Sequence, residues 1–205
     1  MMKIVKTVVG ALESNSYLVY DDETENALII DLGGHFSAIE QAVTQARASV
    51  KALLLTHGHF DHTAGAAEIA AMGIPVYISQ RDAHMLSCAE DSLADCFRCA
   101  FSPTDDYRVI KEGEYDIGGF HVKVLETPGH TAGSLCYMIG DRLFAGDTVF
   151  RNGYGRYDLP SGNLGDLIKS FKKLKGLSGL KVCCGHGDET LLDDEKAHNP
   201  MFRLC

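Results

Sequence analysis

Residues 53–65 read LLLTHGHFDHTAG, an apolar run that ends in three histidines and an aspartate within six positions. The run, with Val50–Thr56 read as "VKALLLT", is short and continuously apolar, as a strand covered on both faces is. Along an extended segment His57 and His59 project to the same side, so both can reach one metal ion. Asp61 and His62 follow as the chain turns into "TAGAAEIAAMG", a helix expected to end at Gly73, and therefore point elsewhere. A structural zinc site would draw on cysteine, whereas this cluster offers imidazole and carboxylate, which suit zinc, iron(II) or manganese at a reactive site.

The same grammar recurs downstream. "VLETPGHTAGS" brings His130 after a strand and a Pro-Gly turn, "LFAGDTVF" brings Asp147, and "KVCCGHGD" brings His186. Taken singly, each has a mundane reading: Asp61 as a helix cap, Asp147 as a turn former, His130 and His186 as exposed turn residues. Their joint appearance at four strand ends points to one site, since strand ends fix side chains while loops leave room for substrate. Seven candidate ligands exceed what one tetrahedral ion takes and fit two ions about 3.5–4 Å apart sharing a carboxylate. His35, His84, His121 and His198 lie in mixed polar contexts and read as surface residues.

Outside these places the chain alternates strands and helices. "KIVKTVVG", "NSYLVYD" and "NALIID" read as strands, and "HFSAIEQAVTQARAS" spaces Phe36, Ile39, Val43 and Ala46 at helical intervals. "IPVYIS", "FHVKVLETPG", "SLCYMIG", "RLFAGD" and "GLKVCCGHG" read as further strands, and "GNLGDLIKSFKKLKGL" as an amphipathic helix. Two β-rich halves with covering helices predict an α/β fold of four layers, αβ/βα, over 1–205 as a single domain. Residues 80–108 lose the pattern and form either a candidate lid or substrate wall or a plain surface loop.

Composition narrows the function. Of 205 residues 45% are hydrophobic and 23% charged, which supports a packed core. Nineteen Lys and Arg against 28 Asp and Glu leave a net charge of −9, against a nucleic-acid partner. The first residues, "MMKIVKTVVG", read as a strand and not an export signal, and no window is a membrane span. Seven cysteines are therefore expected reduced in a cytoplasmic protein, Cys96 and Cys99 as free thiols, with Cys184 close to the site.

"THGHFDH", "TPGHTAGS", "AGDTVF" and "GHG", in this order, resemble the metallo-β-lactamase-fold hydrolases, most sharply the short glyoxalase II-like (hydroxyacylglutathione hydrolase-like) branch. "GRYDLPSGN" and the closing "GHGDETLLDDEKAHNPMF" are also similar to that branch. The resemblance implies one metal on His57, His59 and His130, a second on Asp61, His62 and His186, and Asp147 bridging. It implies two divalent ions, zinc first with iron or manganese acceptable. The implied reaction is hydrolysis of a thioester such as S-lactoylglutathione, with Asp61 as the catalytic residue orienting the nucleophile. The helical domain that helps full-length glyoxalase II hold glutathione is not expected after the last ligand strand. Arg151, Tyr154 and Arg156 are the candidates for holding an anionic thioester substrate, or Arg156 and Asp158 simply brace their loop.

Other readings of the same residues differ in chemistry. A persulfide dioxygenase uses one iron on two histidines and an aspartate and consumes oxygen. A hydrolase of another small ester or a phosphodiester would keep both ions. A β-lactamase would want an export signal, and a flavin-linked diiron reductase would place an acidic residue where His59 stands. A metal or thiol sensor would rely on Cys96 and Cys99 and show no turnover. The oligomeric state is not legible.

Overall fold

The computed structural model describes residues 1–205, and its backbone is organised by two six-stranded sheets. The first sheet holds β1 (Met2–Val9), β2 (Ser14–Asp21), β3 (Asn26–Ile30), β4 (Ser49–Leu54), β5 (Val76–Ile78) and β6 (Arg108–Val109) in chain order. The first three strands are antiparallel neighbours, and β3 through β6 are parallel. Parallel neighbours require crossovers. These are α1 (Ser37–Gln45), then α2 (Phe60–Thr63) with α3 (Ala66–Ala71), and finally the stretch that contains α4 (Ala94–Phe97).

The second sheet is built from β7 (Gly113–Ile117), β8 (Phe120–Glu126), β9 (Leu135–Ile139) and β10 (Arg142–Gly146). A small hairpin, β11 (Val149–Phe150) with β12 (Gly153–Tyr154), then leads into α5 (Leu164–Lys175). The chain returns as β13 (Lys181–Cys184), β14 (Thr190–Leu191) and α6 (Leu192–His198), giving the order β14-β13-β10-β9-β8-β7. Asn163 caps α5, its side-chain oxygen accepting from the Asp166 amide at 3.0 Å.

Alternation along the strands decides what faces what. Tyr17, Val19, Leu28, Ile30 and Leu54 of the first sheet pack against Val122, Val124, Tyr137, Ile139 and Phe144 of the second. Their in-between neighbours Leu18, Ala27, Ile29 and Leu53 face outward and are covered by Ile39, Ala66 and Ile69 of the helices. On the far side Leu143, Ala145 and Val182 lie under Leu167, Phe171 and Leu174 of α5. The result is the expected αβ/βα sandwich of four layers. Burying each such aliphatic or aromatic side chain contributes about 1.5–3 kcal/mol. No helix is long and apolar enough to cross a membrane.

Candidate metal centre

At one edge of the sandwich the C-terminal ends of β3, β4, β10 and β13 come together with the turn after β8. β10 and β13 are parallel neighbours, so Asp147 and His186 emerge side by side. A Cβ added at Gly185 would lie 2.2 Å from the Asp147 carboxylate and 2.8 Å from the His62 ring, which only glycine avoids. Gly146 turns through φ +47° against Thr56, joining the two sheets at the rim of the site.

All seven expected residues gather here. The ligand atoms of His57, His59 and His130 lie within 4.8 Å of one another, as do those of Asp61, His62 and His186, and those of His57, His62 and Asp147. Asp147 lies between the sets, with Oδ1 3.3 Å from His62 Nε2 and Oδ2 3.5 Å from His130 Nε2. Asp61 Oδ2 is 3.1 Å from His186 Nε2, and His59 Nδ1 is 2.9 Å from His130 Nε2. The split between His57 and the second group is less sharp than the spacing implied, because the His57 and His62 rings lie 4.2 Å apart between centroids.

Three of these atoms, His57 Nε2, His59 Nε2 and Asp147 Oδ1, are buried with no hydrogen-bond partner. Buried polar atoms are nearly always satisfied, so unpaired imidazole and carboxylate atoms within a cluster of seven such groups fit a divalent cation of zinc, iron or manganese type, with Nδ1 the His59 nitrogen that faces His130.

The tautomers needed for that are set from behind. His62 Nδ1 donates to Asp31 Oδ2 at 2.9 Å, which turns Nε2 toward the cluster. Thr56 Oγ1 donates to the same carboxylate oxygen at 2.7 Å and accepts from His57 Nδ1 at 3.1 Å. His130 Nδ1 donates to the Arg156 carbonyl at 2.7 Å. This arrangement of carboxylate or carbonyl behind imidazole orients metal-binding histidines generally. Asp31 also accepts the Thr56 amide at 2.7 Å and sits at φ +55°, a strained backbone for a non-glycine residue.

A second buried carboxylate ties the two histidine loops together. Asp82 accepts the Gly58 amide at 3.1 Å, the Gly133 amide at 2.8 Å and the Thr131 hydroxyl at 2.6 Å. Neither Asp31 nor Asp82 figured among the sequence candidates. Asp31 had a usable signal, since it follows the apolar run of β3 just as the ligands follow theirs. Asp82 had none, standing in an irregular stretch.

Burial and the neighbouring histidines hold His57 neutral, far below its ordinary range, and burial drives His59 down to about 3. Neutral imidazole is the form that ligates metal. Burial lowers His62 too, but the carboxylates of Asp61, Asp147 and Asp31 outweigh it and raise the group well above the usual value. Burial pushes Asp61 and Asp147 up, yet the charge of His62 prevails and leaves both carboxyls lower than normal, hence ionised.

The cluster forms the floor of a cavity of about 270 Å³. Its walls are Leu12, Phe60, Leu93, Phe97, Phe150, Tyr154, Arg156 and Leu159. Leu93 and Phe97 come from 80–108, so that stretch is a wall. Cys96 in the same stretch is exposed and, like Cys99, free. Cys184 is buried beside the site at the end of β13, where burial raises its thiol to about 12. The other four histidines are exposed.

The arginines depart from expectation. Arg151 is not on the cavity wall and pairs at 3.0 Å with Asp188, because it occupies the turn of the β11–β12 hairpin while Phe150 faces in. Arg156 is on the wall, but Asp158 grips its guanidinium at 2.9 and 3.0 Å, so the bracing reading describes it.

Comparison with known proteins agrees with this geometry. Hydroxyacylglutathione hydrolase GloC of Haemophilus influenzae is 34% identical over 98% of both chains. Among solved structures, BLEG-1 B3 metallo-beta-lactamase superposes with a TM-score of 0.89 at 30% identity, covering 97% of this chain and 98% of that one. TTHA1623, solved in a di-iron-bound form, gives 0.85 at 32% identity over 96% and 98%. The family model matching residues 9–186, the span from β1 to His186, is that of the metallo-beta-lactamase superfamily, and the chain belongs to that superfamily.

Proposed function

We propose that this metallo-hydrolase-superfamily enzyme is a hydrolase dependent on two divalent metal ions and acting on thioesters. The observation that carries the metal reading is the gathering of seven imidazole and carboxylate groups into three overlapping groups of three, with His57 Nε2 and Asp147 Oδ1 buried and unpaired among them. His57, His59 and His130 would hold one ion, Asp61, His62 and His186 the other, and Asp147 both. Cations there would polarise a carbonyl and make water acidic enough to ionise near neutral pH.

The protein's own part is positioning. Asp61, ionised and facing the cavity, accepts a hydrogen bond from the attacking water and directs its lone pair at the carbonyl carbon. Asp31, Thr56 and the Arg156 carbonyl keep the imidazoles in register throughout. The apolar walls exclude bulk water. A thiol has a pKa near 8.5, so it departs as thiolate without a strong acid. That suits a cavity in which, outside the ligand cluster, the wall residues with an O–H or N–H are Tyr154 and the Asp158-paired Arg156. The similarity to a hydroxyacylglutathione hydrolase supports the thioester, and the likeness to a di-iron protein supports two ions and keeps iron beside zinc.

The test is hydrolysis of S-lactoylglutathione by protein of measured metal content. Thiol release that depends on two ions per chain supports the reading. One iron per chain with oxygen uptake on glutathione persulfide would replace it with persulfide dioxygenation.

A further inference from the structure

The floor of the cavity says which reaction, and the walls say which substrate. Leu12, Phe60, Leu93, Phe97, Phe150 and Leu159 present carbon to the space above the cluster. They come from four separate parts of the chain, so the apolar lining is not one strand's chance exposure. Phe60 and Phe97 pack at 5.4 Å between ring centroids, making one continuous aromatic wall. Phe150 stands opposite, 6.1 Å from the His186 ring. Phe97 remains half exposed although it belongs to this wall, which is costly for a phenyl ring unless something covers it.

The walls of the same space hold no free cation. The single basic wall residue, Arg156, already serves Asp158, and Arg151 is turned away to Asp188. With the thioester carbonyl held at the floor, a carboxylate at the far end of the acyl group would lose water against these walls and meet no free cation there. A hydrocarbon group entering it would gain the full benefit of burial. At about 30 Å³ per water-sized group, 270 Å³ takes roughly nine such groups.

Resting on the thioester reading, we propose that the substrate is a thioester with an apolar acyl group of medium length or with an aromatic ring. The acyl group fills the cavity between Phe60, Phe97 and Phe150, and the thiol carrier extends outward to solvent. Lactoyl, with two carbons beyond the carbonyl and a hydroxyl, leaves most of the space unfilled, and a carboxylated acyl group is excluded.

The experiment holds the carrier constant. Thioesters of N-acetylcysteamine, a small neutral thiol, are compared with acetyl, lactoyl, succinyl, butyryl, hexanoyl and phenylacetyl groups on metal-loaded protein. Expected is a rise in kcat/KM of about fourfold per methylene, so hexanoyl exceeds butyryl by roughly 15-fold. Succinyl falls at least about 100-fold below butyryl. Phe97→Ala flattens the series, and Phe97→Arg raises succinyl relative to butyryl. A flat series, or lactoyl or succinyl in first place, overturns the proposal while leaving thioester hydrolysis intact. If no thioester turns over, the thioester reading falls. Binding of the matching ketones, with methylene in place of sulfur, then decides the cavity: affinity growing with chain length supports apolar selection, and affinity independent of it overturns it.

Discussion

The floor and the walls of the cavity are built on different principles. The candidate ligands on the floor sit at strand ends, in the turns beyond them or in the short helix α2, and three are braced from behind: His62 by Asp31, His57 by Thr56, His130 by a backbone carbonyl. Apart from Phe60, which stands in α2 between His59 and Asp61, the walls come from the β1–β2 turn, the stretch around α4 and the segment beyond β10, and Phe97 of the α4 stretch packs on Phe60. The contrast teaches that this fold separates chemistry from selection. Strands fix atoms to fractions of an ångström, as metal ligation requires, while loops can be exchanged without moving the floor.

Breaking the floor has the largest consequence. His59→Ala removes a buried imidazole whose one side-chain partner is His130 of the same cluster, so kcat/KM falls by on the order of 10³-fold and the bound metal per chain drops. Metal content by elemental analysis and a single substrate assay check this together. Full metal and full activity in the variant would end the ligand assignment.

One layer back, Asp31→Ala strands the Thr56 amide and hydroxyl and the His62 ring in a buried place. Removing one member of a buried pair costs about 3–5 kcal/mol, read by denaturant unfolding. Asp82→Asn is milder. An amide nitrogen cannot accept, so it faces one of the two glycine amides as donor against donor. About 1–3 kcal/mol of stability is lost, and metal affinity falls about tenfold because the loops carrying His57, His59 and His130 loosen.

The walls give the counterpart. Arg156→Ala changes kcat/KM for a neutral thioester less than about threefold, since its guanidinium already pairs with an exposed carboxylate. A hundredfold loss with an anionic substrate would mean that the arginine swings inward and that the walls do select charge.

The smallest effect lies far from both regions. The Thr24 amide, the amino terminus and the Glu23 amide draw the Asp21 carboxyl down to about 2. A lowered folded-state pKa stabilises above the ordinary value of 3.8 and the benefit disappears as pH falls through about 2. Thermal melts of Asp21→Ala and the parent should therefore differ slightly at pH 5 and converge toward pH 2, with metal binding at neutral pH unchanged.

Much of this was legible in residues 53–65 and their three echoes. Short runs rich in β-branched and aliphatic residues placed β1, β2 and β8, the apolar run placed β4, and helical spacing placed α1 and α5. The floor was legible because ligation demands particular side chains: Asp147 and His186 each stand one glycine beyond an apolar run, and His130 follows a strand and a Pro-Gly turn. Asp31 escaped although it obeys the same rule, because one carboxylate after a strand has many ordinary uses. Arg151 was misplaced because a hairpin turn reverses which neighbour faces inward, and a two-residue strand is too short to show that in a pattern.

By itself, then, the sequence determined the layers of the sandwich and the seven residues gathered at its edge. Both follow from local facts: alternation, spacing, and the donor chemistry of histidine and aspartate. Only the tertiary structure decided that Asp31 serves two histidines, that Asp82 joins loops 49 and 51 residues apart from it in the case of Thr131 and Gly133, and that the walls are apolar. Those outcomes depend on which distant segments meet. Such meetings are set by the sum of many weak packing contacts over the whole chain, which no single stretch of residues carries.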